Sequence, residues 1–156
     1  MFCGKIASGK SILALQLSRT NGGVLLSEDK WLEALYFDQM SSGADYVRCS
    51  LKLRSAIGPH VVTLLDAGLS VILDFPANTV EQRSWVFEII EKTGALHQMH
   101  VLNVSDDVCL SRLRNRNARD DHAFVVTEKQ FRQFSKHFAP PSPDEGFNVV
   151  THQATD

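Results

Sequence analysis

The chain has 156 residues and a net charge of −2 at pH 7, with 44% hydrophobic and 22% charged residues, so it is long enough for one domain with a real core. The near-neutral balance argues against a general nucleic-acid binder, which normally carries a basic excess, and no apolar run is long enough to span a bilayer. The three cysteines show no metal-binding spacing and no signal peptide is evident, which predicts reduced thiols in a single cytoplasmic domain over residues 1–156.

A glycine-containing motif follows the apolar residues 1–3, which are expected as an abbreviated first strand because a strand usually has about five residues. Residues 4–11 read Gly-Lys-Ile-Ala-Ser-Gly-Lys-Ser and match G-x-x-x-x-G-K-S/T, a loop whose main-chain amides surround the phosphates of a nucleoside triphosphate. Lys10 is expected to reach those phosphates, and the Ser11 hydroxyl to bind Mg²⁺. The alternative is an ordinary glycine-rich turn before a helix. In either case the helix is predicted to run to about Arg19. The predicted nucleotide-binding residues of the loop are Gly4, Ile6, Ala7, Ser8, Gly9, Lys10, Ser11 and Ile12.

The next predicted strand, over residues 23–27, is followed by two acids, Glu28 and Asp29. Because ligand sites in parallel α/β sheets lie beyond the carboxyl ends of strands, Asp29 is placed to accept the proton of an attacking hydroxyl. Capping of the helix predicted over residues 29–36 fits Asp29 equally well, and Glu28 is a weaker rival for the same role. Trp31 is a candidate for lining an acceptor pocket, with aromatic core packing as the alternative.

A long helix is predicted from about residue 45 to residue 67, with Pro59 either kinking it or dividing it. The buried strand that follows, over residues 71–75, ends near Asp74. A carboxylate at that position needs a partner, and Mg²⁺ is the natural one beside a phosphate-binding loop. A salt bridge or a turn is the alternative.

Asn78 and Arg83 flank the start of the next helix, which is predicted over residues 79–92 from a capping box of Thr79 and Gln82. Both residues are candidates for binding the acceptor. A helix cap or an ordinary surface position is the equal alternative for each of them.

A strand over residues 97–104 leads into a helix, residues 106–116, that ends in arginines. Arg112 and Arg116 are four residues apart and share a helix face. Beside a phosphate-binding loop they are expected to neutralise the charge that develops in phosphoryl transfer. A solvated basic helix end, which complements the helix dipole, is the alternative.

The last predicted elements are a helix capped by Thr127 and Gln130 and a strand near residues 147–150. Strands and helices thus alternate along the whole chain, which is typical of an α/β fold with a parallel sheet. We predict three layers, with a five-stranded parallel sheet between helices on both faces.

The order of these motifs resembles the small P-loop kinases related to adenylate kinase. The likeness is carried by residues 4–11, by Leu26–Asp29, by Leu73–Thr79 with Arg83 and Trp85, and by Cys109–Arg116. The chain looks most similar to chloramphenicol phosphotransferase, zeta-toxin kinases, the kinase half of polynucleotide kinase and the AAA-family kinases.

This resemblance implies a P-loop kinase fold with Mg-ATP as phosphoryl donor. It implies that Asp29 activates the acceptor hydroxyl and that Arg112 and Arg116 hold the adenine and the phosphates. It also implies a small lid, over about residues 112–137, that closes over ATP and excludes water.

The acceptor is indicated less specifically. Leu32 stands where polynucleotide-type relatives often carry arginine, which puts phosphate-bearing acceptors in doubt, and Ala7 replaces a common glycine, which should be tolerated if its φ is negative. Five acids and two bases lie between Leu25 and Ser50. That excess favours a cationic or neutral acceptor over a polyanion, unless these acids merely form a solvated surface.

Three functions remain open. The first is an ATP-dependent phosphotransferase acting on a small-molecule hydroxyl, with an aminoglycoside, and hence antibiotic resistance, as its narrower form. The second is a nucleoside or polynucleotide 5′-kinase, and the third is a non-catalytic ATP-binding module. Neither a membrane nor a nucleic-acid partner is expected. The predicted catalytic residues are Asp29, Lys10, Arg112 and Arg116, the substrate-binding residues Asp29, Trp31, Asn78 and Arg83, and the metal ligands Ser11 and Asp74.

Overall fold

Short strands and helices alternate along the chain in the computed structural model, which describes residues 1–119 and 125–153. In chain order the elements are β1 (Phe2–Cys3), α1 (Lys10–Asn21), β2 (Val24–Ser27), α2 (Glu28–Tyr36), α3 (Gly43–Asp66), β3 (Val71–Asp74), α4 (Val80–Thr93), β4 (Met99–Asn103), α5 (Asp106–Arg119), α6 (Glu128–Ser135) and β5 (Val149–Gln153). The predicted α/β alternation is therefore confirmed.

The five strands are parallel, but they do not form the single five-stranded sheet predicted from the sequence. The main sheet has three strands in the order β1-β4-β5, and β2 pairs separately with β3. An isolated bridge between Phe2 and Pro76 connects the two groups, and the Ala77 amide donates to the Phe2 carbonyl at 3.0 Å. Pairing stops there because β1 has only two residues and Pro76 has no amide hydrogen to donate.

Side chains alternate along β2 and β3, and this alternation creates the layers. Leu26 and Leu73 point into a buried cluster with α2, α3 and α4. Their neighbours Leu25 and Ile72 pack against the opposite cluster, which α1, α5 and α6 supply. Helices therefore cover both faces of the strands, as predicted.

Local capping signals mark the helix ends that the sequence indicates. The Thr79 hydroxyl accepts from the Gln82 amide, and Thr127 and Gln130 form a complete capping box. Helix α4 ends at Gly94 in the left-handed region, with φ of 62°. Pro59, in contrast, lies within α3 and does not divide it.

The three cysteines are buried and free. No helix in the described ranges is long and apolar enough to cross a membrane. Of the lid expected over residues 112–137, the end of α5 and all of α6 are described, whereas residues 120–124 lie outside the described residues.

Candidate functional site

The loop between β1 and α1 has a shape that only glycine permits at two positions. Gly9 caps α1 with φ of 106°, a conformation that other L-residues rarely adopt. A Cβ atom on Gly4 would lie 2.6 Å from Ser8 Oγ and 3.2 Å from the Leu102 carbonyl oxygen. The two glycines of the motif therefore allow the backbone to curl into an amide-lined cradle at the amino end of α1.

Ala7 corrects one expectation about this loop. Its φ is +61°, so it occupies the left-handed region rather than the negative φ that its tolerance was expected to require. An L-residue is strained there by roughly 1–2 kcal/mol. The backbone of the loop evidently needs this conformation at residue 7, which is why a glycine suits the position.

Lys10 extends over the loop that precedes it. Its ammonium group donates to the carbonyl oxygens of Gly4 at 2.7 Å and Lys5 at 2.8 Å. Burial lowers the pKa of Lys10, while the carboxylates of Asp74 and Asp29 oppose that shift. Those two predicted site carboxylates thus both act on the ammonium group of the loop.

Asp74 and Ser11, the predicted metal ligands, lie together. Burial raises the pKa of Asp74, and a hydrogen bond from Ser11 and the charge of Lys10 oppose the rise. The Ser27 hydroxyl, at the end of β2, lies 3.5 Å from Asp74 Oδ2. A carboxylate and a hydroxyl are oxygen donors of the type that Mg²⁺ prefers, and Mg²⁺ commonly takes its other ligands from phosphate and water. These residues therefore fit Mg²⁺, although no cluster of three His, Cys, Asp or Glu side chains occurs in the described part of the chain.

A cleft of about 2070 Å³ opens in front of the loop. A pocket for one small ligand usually measures about 300–1,000 Å³, so this volume accommodates two ligands side by side. Most of the predicted site residues line the cleft: Ile6, Ala7, Ser8, Gly9, Lys10, Ser11, Ile12, Asp29, Asp74, Asn78, Arg112 and Arg116.

Arg112 connects α5 to the phosphate-binding loop. Its Nη1 donates to the Ser8 carbonyl oxygen at 3.2 Å, and a Cβ on Gly9 would lie 4.0 Å from the same nitrogen. Arg116 lines the cleft one helical turn further along. The two arginines therefore share the face of α5 that is turned toward the loop.

Two of the predicted acceptor-binding residues lie elsewhere. Arg83 is 1% exposed and absent from the cleft wall, because its guanidinium binds Glu145 at 2.6 and 2.9 Å and donates to the carbonyls of Ala77 and Ala139. Trp31 is 39% exposed on α2 and does not line the cleft. Neither side chain therefore lies in the wall of the cleft, and their binding of the acceptor stays a prediction.

Asn78 lines the cleft, but its polar groups also hold the site together. Its Oδ1 accepts from the Gly4 amide at 2.8 Å, and its own amide donates to Gln82 at 2.8 Å. Its carbonyl accepts from the Ala139 amide at 2.9 Å. Asn78 thus ties the phosphate-binding loop to α4 and to the segment after α6.

A buried polar network under the cleft was not predicted. Glu28, 1% exposed, accepts hydrogen bonds from Tyr46 at 3.0 Å, Ser50 at 2.6 Å and Arg54 at 3.1 Å. Burial and the nearby Glu28 carboxylate raise the pKa of Tyr46, so its hydroxyl stays a donor. The four-residue spacing of these three donors on α3 is the sequence signal that could have revealed the network. The Glu28 carboxylate is therefore engaged by other side chains beneath the cleft, and the role of Asp29 as base stays a prediction.

The amide-lined loop, the paired Lys10 and Asp74, and the three layers define a P-loop nucleotide-binding domain of the small-kinase type. The sequence matches the AAA domain family over residues 1–141. The chain belongs to that family. No protein of curated function matches the sequence.

Solved structures share the fold at low sequence identity. A candidate kinase from Chloroflexus aurantiacus superposes with a TM-score of 0.76 at 20% identity, over 97% of this chain and 82% of that one. Chaetomium thermophilum Kti12 with ADP-AlF3 gives 0.69 at 13%, over 98% and 86%. The Mycobacterium tuberculosis APS kinase CysC with AMPPNP and APS gives 0.63 at 23%, over 96% and 85%. The architecture is therefore that of P-loop kinases.

Proposed function

We propose that this protein is an ATP-dependent phosphotransferase that moves the γ-phosphoryl group of ATP to a hydroxyl group of a small molecule. The observation that carries the proposal is that Asp29, Asp74 and Lys10 meet in one cleft with room for a donor and an acceptor. The CysC and Kti12 structures, which hold AMPPNP and ADP-AlF3, support a nucleotide in the corresponding position.

The donor nucleotide binds with its phosphates in the cradle of residues 4–11. Mg²⁺, held by Ser11 and Asp74, would neutralise phosphate charge when bound. Lys10, Arg112 and Arg116 supply fixed positive charge for the transferring group. The predicted lid, over residues 112–137, closes over the nucleotide and keeps water from the transferring phosphoryl group.

Asp29 acts on the acceptor. Its carboxylate accepts the proton of the acceptor hydroxyl while the hydroxyl oxygen forms a bond to the γ-phosphorus. The bond between that phosphorus and the oxygen of ADP breaks, so that the products are ADP and a phosphate ester. Asp29 stands at the start of α2, directly after β2, where a carboxylate meets the open end of the strands.

The substitution Asp29→Asn tests this assignment. We expect ATP affinity to change less than about threefold and the transfer rate to fall by roughly 10²–10⁴, the usual contribution of a general base. Calorimetry with Mg-ATP and mass spectrometry of the phosphorylated acceptor measure the two quantities. Asp38→Asn is the matched control, because Asp38 is exposed and lies outside the cleft wall. A near-normal transfer rate in Asp29→Asn would remove the base assignment.

A cationic amino-sugar acceptor, and with it antibiotic resistance, is the narrower form of the proposal, and the acids between residues 25 and 50 are its support. Glu28 is paired with Arg54, and Asp45 binds Ser42 and Arg48 at the start of α3. Of the five acids, Asp29 is the one that lines the cleft. The carboxylate of Asp29 in the cleft therefore favours a cationic or a neutral acceptor over an anion.

One assay separates the remaining alternatives. The protein is incubated with Mg-ATP and a panel of aminoglycosides, uncharged alcohols, nucleosides and DNA ends, and mass spectrometry identifies the phosphorylated compound. A phosphorylated DNA end would support a polynucleotide kinase. The buried Leu32, at the position where polynucleotide-type relatives often carry arginine, counts against that function. ATP binding without any phosphorylated product would support the non-catalytic module.

A further inference from the structure

The side chains that line the cleft between α2, α3 and α4 favour a ligand of a particular charge and polarity. We propose that it binds an uncharged alcohol with an apolar ring and a hydrogen-bond-accepting oxygen, which Arg54 receives. This inference names the acceptor class of the proposed kinase and rests on that function. The proposed acceptor is thus a compound without positive charge rather than an amino sugar.

Arg54 is the polar anchor of this region. It is 5% exposed and lines the cleft. Its Nε donates to Glu28 at 3.1 Å and its Nη2 to the Pro76 carbonyl at 3.0 Å, while Nη1 is buried without a hydrogen-bond partner among the described residues. A buried donor left without a partner is costly, so an oxygen atom of a bound acceptor would complete the set.

Aromatic rings hold the guanidinium of Arg54 in place. Its central carbon lies 4.9 Å from the centre of the Trp85 ring and 5.6 Å from that of Phe75. A Cβ on Gly58 would lie 3.2 Å from Trp85 Nε1, so α3 leaves space for the indole at this position. Trp85 lines the cleft as well, so an aromatic side chain lies beside Arg54 for contact with an apolar ring.

The charges around this anchor disfavour an anionic ligand. Glu28 already neutralises Arg54 within the protein, at 3.1 Å, so no negative charge is required from the acceptor. Asp29 repels an anion. On α4, Glu81, Glu88 and Lys92 line the cleft; Lys92 compensates Glu88 four residues away, and Glu81 adds to the repulsion of an anion.

Apolar side chains that face solvent line the cleft near this anchor. Phe37, Val47 and Leu51 are 64%, 50% and 63% exposed, and all three line the cleft. Exposed apolar side chains grouped in a cleft mark a surface that a ligand covers. An amino sugar, whose surface is polar throughout, would leave them in contact with water.

Three benzyl alcohols that share one hydroxyl and differ in charge test this inference: 4-acetylbenzyl alcohol, 4-(aminomethyl)benzyl alcohol and 4-(hydroxymethyl)benzoate. The protein carries Trp31→Phe, so that Trp85 is its remaining tryptophan, and Mg-AMPPNP is present throughout. Trp85 fluorescence reports binding. We expect the uncharged acetyl compound to bind about tenfold more tightly than either charged compound. Equal or tighter binding of the ammonium compound, or no binding of the acetyl compound, overturns the inference.

Substitutions in the cleft wall test whether the acetyl compound binds there. Leu51→Glu places a charge in the cleft and should weaken the acetyl compound about tenfold, while Leu35→Glu is the matched control, since Leu35 is 50% exposed on α2 and outside the cleft wall. Arg54→Lys keeps the charge beside Glu28 but loses the planar fork, and it should remove the preference for the acetyl group over unsubstituted benzyl alcohol. An unchanged affinity in Leu51→Glu contradicts the inference even if Arg54→Lys fails to fold.

The kinase proposal is tested separately by replacing AMPPNP with ATP. Binding of the acetyl compound without phosphate transfer to it or to any other hydroxyl compound contradicts the kinase and leaves the charge preference in place. Transfer to the ammonium compound alone confirms the kinase and overturns the inference.

Discussion

Ala7 stores backbone strain in the phosphate-binding loop, since its φ is +61°. We expect Ala7→Gly to raise the free energy of unfolding by about 0.5–1 kcal/mol, because glycine adopts this region without the steric cost. Urea unfolding measures the change. Ala56→Gly is the control: Ala56 is exposed inside α3, where glycine should destabilise by about 1 kcal/mol. Destabilisation by both substitutions would contradict the strain argument.

Asp74 is a predicted Mg²⁺ ligand, and substituting it should change how ATP binding depends on Mg²⁺. We expect Asp74→Asn to raise the Mg²⁺ concentration needed for tight ATP binding by roughly 10–100-fold, while binding of ATP without Mg²⁺ changes little. Calorimetry over a series of Mg²⁺ concentrations measures this. Asp66→Asn, at the exposed end of α3, serves as the control. If Asp74→Asn keeps the wild-type dependence on Mg²⁺, Asp74 is not a ligand.

Two arginine–glutamate ion pairs that join different elements have equal N–O distances but should differ in their contribution to stability. Arg83–Glu145 and Arg114–Glu128 both measure 2.6 Å, but Arg83 is buried while the side chains of the second pair are 63% and 44% exposed. Arg83 joins α4 to the turn before β5. In both pairs a hydrogen bond from the arginine is the main cause that lowers the pKa of the glutamate.

We therefore expect Arg83→Met to lower the free energy of unfolding by about 3 kcal/mol, because it leaves several buried groups without partners. Arg114→Met should cost less than about 1 kcal/mol. Chemical denaturation measures both. Since Arg83 lies outside the cleft wall, acceptor KM should stay unchanged in the folded protein. A raised acceptor KM with normal stability would support Arg83 as an acceptor-binding residue.

The helices were the most predictable elements because their signals are local. Thr79, Thr127 and Gly94 mark helix ends through atoms only a few residues away. The sheet was less predictable, because its continuity depends on pairing between distant segments. Neither the two-residue length of β1 nor the single bridge at Pro76 is marked by a short-range pattern.

At the scale of the whole molecule, a histidine pair in which His100 is buried makes stability depend on pH. His100 is 8% exposed, and its Nδ1 lies 2.9 Å from Nε2 of His152. Burial, followed by the charges of the Met1 amino group and of His152, lowers the pKa of His100 from 6.5 to about 4. The unfolded chain therefore takes up a proton that the folded protein resists.

It follows that the contribution of His100 is full above about pH 6.5 and is lost as the pH drops toward 4, by on the order of 3 kcal/mol. The Met1 amino group, whose pKa burial lowers to about 5, acts in the same direction from a higher pH. Asp74 acts in the opposite direction, since its raised pKa favours the folded state at low pH. We expect His100→Asn to flatten the loss between pH 6.5 and 4, whereas His60→Asn, on the exposed side of α3, should follow the wild type. Unfolding free energies measured across this range test the sign, and an equal slope in His100→Asn would refute it.

The sequence by itself determined the α/β alternation, the helix ends, the phosphate-binding loop and the acids at the carboxyl ends of β2 and β3. These depend on short-range patterns: the spacing of apolar residues, capping residues, and eight consecutive residues whose own backbone forms the cradle. Only the tertiary structure decided that Arg83 stabilises the fold, that Asn78 holds Gly4, and that Glu28 and Arg54 pair beneath the cleft. The reason is physical: whether a charged side chain binds a ligand or another residue depends on which distant groups become its neighbours when the chain folds.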